Sequence, residues 1–210
     1  MTRLQSEIKK IIPKNKIATI ALMLVIHTTA YCLPKLLTSG RIHYDPSTLI
    51  DKYIPLWTPS VIIYVLAFFQ WIVFLFAVIK ENRECIESLF SSLIIAYAMC
   101  FIVYIVFPTT KTMPVITGSG ICDRILKLIY SVDTPVNLFP SMHCMLSWFC
   151  SKAAYRMKQI SKKTAIINTV FSVLVLASTV LTKQHVFVDV VGGVLVTEIC
   201  MIRGKEDAAD

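Results

Sequence analysis

Residues 61–79 read VIIYVLAFFQWIVFLFAVI, nineteen residues without an Asp, Glu, Lys, Arg or His. A helix of that length is about 28 Å long, close to the roughly 30 Å hydrocarbon core of a bilayer. The composition of the whole chain agrees. It is 56% hydrophobic, with a mean hydropathy of +0.68, above what an ordinary soluble domain carries. Working outward, five further runs have similar character: Ile17–Leu33, Leu89–Phe107, Phe139–Tyr155, Thr164–Leu181 and Val186–Ile202. The Phe139–Tyr155 run is the most polar, with Ser141, His143, Ser147, Ser151 and Lys152 inside it. Basic residues precede the first run, as in a signal peptide, but no small-residue cleavage site follows, so it is read as a helix. The expected fold is all-α, an integral membrane six-helix bundle over residues 17–203. A basic N-terminus (1–16) precedes it, and a disordered tail (204–210) follows.

The formal charge of +8 raises the question of nucleic acid, and the placement of the charges answers it. Fourteen of the 21 basic residues fall before the first run, between the second and third, between the fourth and fifth, and after the sixth. The other seven lie in the alternate loops. That asymmetry is the positive-inside pattern, which predicts both termini in the cytoplasm and the basic surface against anionic lipid. Nucleic acid is therefore not an expected partner. Seven cysteines cannot form a complete disulfide framework, and only Cys32 and Cys122 fall near the outer face. No CxxC pair or metal-ligand cluster stands out, so no cofactor or metal is expected.

The polar residues gather at one level. His143 opens the fourth run and His185 opens the sixth, both at the predicted outer face, where the third and fifth runs also end. Lys111, Ser141, Lys183 and Asp189 join them there. Water at the helix ends explains a lone lysine. It explains Asp189 poorly, because a carboxylate four residues into an apolar run costs a few kcal/mol unless paired. His185 and Asp189 are i and i+4 and share a helix face, so the carboxylate can orient the ring and stabilise its imidazolium form. In NLFPSMHCMLSW (137–148), Pro140 suits a helix start. The free N–H groups of that helix start, with the Ser141 hydroxyl, suit an anion. Two histidines, one of them backed by Asp, beside such a cradle and two lysines fit phosphoryl transfer through a histidine nucleophile.

These strings resemble the phosphatidic acid phosphatase type 2 superfamily, membrane lipid phosphatases related to bacterial acid phosphatases. Its second motif, Pro-Ser-Gly-His, is matched by Pro140, Ser141, Met142 and His143. The His-x-x-x-Asp of its third motif is matched by His185 and Asp189. DTPVNLFPSMH and TKQHVFVDVVGG look most like a bacterial branch that also resembles inositol-phosphorylceramide synthases. The resemblance runs from about Asp51 to Gly193. It departs at two arginines. In TTKTMP, Met113 stands where the first motif has Arg, and Val106 falls on that motif's Lys. Thr179 follows Ser178 where the third motif has Arg.

What the resemblance implies is a metal-independent hydrolase acting on a lipid phosphate or pyrophosphate in a cell membrane, bacterial by the branch it resembles, with an outward-facing site. His185 would attack phosphorus, Asp189 would orient it, and His143 would protonate the leaving oxygen and then activate water. Ser141, Lys111 and Lys183 would hold phosphate oxygens, the lysines standing in for the missing arginines. Two alternatives stay open. One is a phospho-alcohol transferase using the same residues, and the other is a catalytically degenerate lipid-binding protein.

Overall fold

The computed structural model describes residues 3–206. Nine α-helices lie within them: α1 (Arg3–Ile11), α2 (Lys16–Leu37), α3 (Leu49–Tyr53), α4 (Val61–Val78), α5 (Arg83–Val106), α6 (Ile121–Val132), α7 (Met142–Ala154), α8 (Lys162–Leu181) and α9 (Phe187–Glu206). A 3-10 turn, Thr58–Ser60, leads directly into α4. There is no strand among the described residues, and two isolated bridges pin loops together.

Local chemistry sets the helix starts. Asn15, Asn82, Ser141 and Ser161 each accept a backbone N–H with the side chain, satisfying donors that the first turn leaves free. Four helical segments are long and apolar enough to cross a membrane: α2, Thr58–Val78, α5 and α8. Their outward faces carry side chains such as Val25, Phe69, Phe76 and Ile167, more than half exposed on the protein surface. Lipid, not water, suits such faces. The chain is a membrane protein.

The six-span expectation is only partly met. Helix α7 has 13 residues, about 20 Å, well short of the bilayer core. All of it except Trp148 and Lys152 is buried, so it is a central post that protein surrounds. Its polar residues are tolerated for that reason. Helix α9 is long enough, but Asp189, Glu198 and Arg203 interrupt its apolar run. It also continues through Glu206, into the tail expected to be disordered; residues 207–210 lie outside the described ones.

Helix α7 packs most extensively on α8 and α9. Buried hydroxyls and amides join the helices. Trp71 donates to Ser147 at 2.9 Å, and Gln70 donates to Asn168 and Ser172 at 2.8 Å. Ser172 donates to the Ser147 carbonyl at 2.7 Å, and Thr197 to that of Met145 at 2.8 Å. Such bonds hold helices together where burying apolar surface against lipid gains little. Cys32 and Cys122 are free cysteines, with no disulfide between them.

Candidate active site at the ends of α7 and α9

The N-terminal ends of α7 and α9 meet. Gly193 allows it: a Cβ there would lie 2.5 Å from the Ser141 carbonyl oxygen and 2.9 Å from the Met145 nitrogen. The approach lets the Ser141 N–H donate to the Asp189 carbonyl at 3.0 Å. One backbone hydrogen bond thus couples the segment carrying His143 to the segment carrying His185. The two ring centroids are 6.0 Å apart.

His185 is 9% exposed and Asp189 is fully buried. Asp189 Oδ2 lies 3.1 Å from His185 Nδ1 and accepts the Val186 N–H at 3.0 Å. Its Oδ1 is buried without a partner. The carboxylate is partnered through Oδ2 only, and that oxygen fixes the orientation of the His185 ring. His143 stands in an aromatic wall from α4: Tyr64 stacks on it at 4.6 Å, with Trp71 at 5.1 Å and Phe68 at 5.4 Å. Its Nε2 is buried and unpartnered. Ser141 caps α7 by accepting the Cys144 N–H on Oγ at 3.3 Å, which leaves its own hydrogen free to donate.

The ammonium groups of the two lysines donate to backbone carbonyls. Lys183 Nζ donates to the carbonyls of Asp51 (2.9 Å) and Ile54 (2.5 Å). Asp51 in turn accepts the Phe187 N–H at 2.7 Å, and Trp57 N–H donates to Leu181 at 2.9 Å. The segment DKYIPLWTP (51–59) is thereby latched onto the turn that presents His185. Lys183 holds a left-handed backbone, φ 58°, an uncommon conformation for a side chain of this size. Lys111 Nζ donates to the Lys183 carbonyl at 3.0 Å. Burial, reinforced by the nearby Lys183 charge, lowers the Lys111 pKa.

Two amides lie closer to the histidines. Asn137 and Gln184 line the same small cavity as His143 and His185, at 5% and 2% exposure. Both polar atoms of Asn137 and the Gln184 amide nitrogen are buried without partners, a condition that costs about 1–3 kcal/mol per group unless something binds there. Asn137 is also left-handed, φ 59°. Its loop is fixed by Thr109, whose carbonyl accepts the Asn137 N–H at 2.8 Å and whose Oγ1 accepts from Leu138 and Phe139 at 2.9 and 3.0 Å. Gln184 does not stand out in the sequence; its adjacency to His185 was the available signal. Another wall comes from α2. Tyr31 and Lys35 both donate to Asp133 Oδ1, Lys35 at 3.1 Å. Burial raises the Asp133 carboxyl, but the Tyr31 hydroxyl and the Lys35 charge outweigh it and hold it below the usual range. The cavity is about 20 Å³, room for roughly one water molecule.

No metal-binding group of His, Cys, Asp and Glu occurs among the described residues. Comparison with curated proteins and with solved structures finds no match. The family model of the PAP2 superfamily does match, over residues 42–202. That range takes in both histidines, Ser141, Asp189 and the latched 51–59 segment, and excludes α2 with Tyr31 and Lys35. By this match, over most of its length, the chain belongs to the phosphatidic acid phosphatase type 2 superfamily.

Proposed function

We propose that the protein is a membrane phosphatase that hydrolyses a lipid phosphate or pyrophosphate monoester on the extracytoplasmic face, through a phosphohistidine. The observation that carries this reading is the buried Asp189 on His185 Nδ1, with a second histidine ring 6.0 Å away. His185 attacks phosphorus through Nε2, and the P–O bond to the leaving group breaks. Asp189 accepts the Nδ1 hydrogen and offsets the charge that appears on the ring. His143 gives its proton to the leaving oxygen. It then takes a proton from water, whose oxygen attacks phosphorus and frees His185 and inorganic phosphate. Ser141, Asn137 and Gln184 donate to the phosphoryl oxygens. Lys183 and Lys111 act by holding the His185 turn. The cavity is too small for a phosphate, so binding displaces lining side chains outward.

The apolar groove between α2 and α4, about 230 Å³, shares Phe68 and Trp71 with the wall around His143. A lipid tail seated there stays in the membrane while its phosphate meets the histidines. One observation favours a second reading. Neutral amides, not lysines or arginines, line the cavity beside the histidines. A singly charged phosphodiester needs less compensation than a doubly charged monoester. That favours transfer of a phospho-alcohol group to a lipid hydroxyl.

The test is incubation of purified protein with labelled lipid phosphates, with and without an alcohol acceptor. Phosphate release without acceptor, with acid-labile label on the protein that His185→Ala abolishes, is the expected result. A new phospholipid formed only with acceptor supports the second reading. Acid-labile label retained by His185→Ala would sink the nucleophile assignment.

A further inference from the structure

At the opposite end of α7 a second polar cleft opens, of about 460 Å³. Lys152 lies nine residues from His143, about 14 Å along the helix axis, so this cleft is separate from the histidine cavity. Three helices build it. Trp148, Ser151 and Lys152 come from α7, Thr169 from α8 and Glu198 from α9, with Tyr155 and Arg156 in the turn after α7.

Its chemistry is that of an anion site. Arg156 Nη2 donates to the Met201 carbonyl, which fixes the guanidinium, while Nη1 is buried with no partner. Lys152 lies 3.0 Å from Glu198, and Trp148 donates to the same carboxylate oxygen at 2.8 Å. The carboxylate is thus met by a cation and an N–H, while the Arg156 side chain donates to a neutral carbonyl. Ser151, Thr169 and Tyr155 add a chain of hydroxyls: Ser151 and Thr169 are 2.8 Å apart, and Thr169 is 3.2 Å from the Tyr155 oxygen. A planar guanidinium with a free N–H beside a row of hydroxyls matches the oxygens of a phosphate. The exposed Lys158, Lys162 and Lys163 are close in sequence, and their positive field draws anions to this end.

We infer that this cleft binds the phosphate of an anionic headgroup at the end of the bundle opposite the histidines. The inference does not rest on the phosphatase reading. Either a phospholipid or free phosphate supplies the chemistry, and the experiment separates them. Full-length protein in detergent is titrated with short-chain phosphatidylglycerol, with short-chain phosphatidylcholine and with inorganic phosphate. Binding is read from the rise in thermal unfolding midpoint. Every titration is run in a His185→Ala and Asn137→Ala background, so that the other site contributes equally throughout.

Arg156→Gln is expected to weaken binding about 10- to 100-fold, the effect of one lost charge-assisted bond. Lys127→Gln, exposed on α6 and outside the cleft, should bind like the parent. Preference for phosphatidylglycerol over both other probes identifies a lipid headgroup; equal effect of inorganic phosphate identifies a free anion. Should Arg156→Gln fail to fold, Ser151→Ala and Tyr155→Phe, which each remove one hydroxyl, take its place, with binding expected several-fold weaker. Parent-like binding by Arg156→Gln, or by both hydroxyl variants, overturns the proposal. So does a parent that binds none of the three probes.

Discussion

Gly193→Ala is the sharpest perturbation of the site, because it adds one methyl group and no chemistry. The new Cβ would stand 2.5 Å from the Ser141 oxygen, 2.9 Å from the Met145 nitrogen and 3.0 Å from Cys144 Cβ. The first two are backbone atoms in the opening turn of a buried helix and cannot rotate away. An ordinary carbon–oxygen contact is about 3.3 Å, so α7 and α9 must separate by roughly 0.8 Å. Along that direction the 3.0 Å bond from Ser141 N–H to the Asp189 carbonyl stretches to about 3.8 Å, beyond hydrogen-bond range. Overpacking of this kind costs about 1–3 kcal/mol, partly offset by the 0.5–1 kcal/mol that Ala gains over Gly in a helix. A shift near 1 Å between His143 and His185 costs roughly 10²-fold in rate. The assay pairs the thermal unfolding midpoint with turnover. Gly192→Ala is the control. Its Cβ meets the Phe139 ring at 2.5 Å, a half-buried side chain that can swing aside, and Pro140 Cβ at 3.0 Å, a looser contact than the 2.5 Å and 2.9 Å backbone contacts at Gly193. A Gly193→Ala protein with parent stability and turnover, or a Gly192→Ala protein that suffers more, would refute the coupling through this contact.

Asn137→Gly, which suits the left-handed backbone there, and Gln184→Ala should each lower turnover about 10–100-fold without loss of folding, since each removes a buried group with no partner in the protein; a loss of folding instead would make them structural. Lys183→Ala should lower turnover by roughly 10² by freeing the 51–59 latch, Lys111→Ala by less, and exposed Lys127→Ala not at all; three parent-like variants would make these ordinary loop charges. Asp133, depressed in the folded state, contributes stability that is present above the ordinary carboxylate pKa and lost as pH falls through the folded value. Asp133→Asn should therefore flatten the acid limb of the stability curve below about pH 4, and an unchanged limb would rule out that tether. Cysteine at Tyr53 or Val115, both over 85% exposed, should react with an impermeant thiol reagent on intact cells when Cys32 and Cys122 are serine. Reaction only after lysis would reverse the topology.

Much of the architecture was legible in the chain itself. Backbone groups in lipid must bond within their own segment, so an uninterrupted apolar run such as 61–79 has to be a helix whatever surrounds it. The His185–Asp189 pairing was legible for a similar reason, because i and i+4 meet on any helix. Helix α7 was not: its length of 13 residues and its burial depend on neighbours, and hydropathy took it for a span. The partners of the two lysines were not legible on the same ground. Charge and sequence distance nominated Lys111 and Lys183, but where an ammonium goes is decided by which carbonyls the fold brings within reach, and those belong to Asp51, Ile54 and the turn itself. Asn137 and Gln184 are neutral and ordinary in sequence, 47 positions apart. Only the close approach of α7 to α9 at Gly193, and the Thr109 loop beneath them, put their unpartnered amides beside the two histidines. Short-range geometry is written in the residues, and long-range convergence exists only once the helices pack.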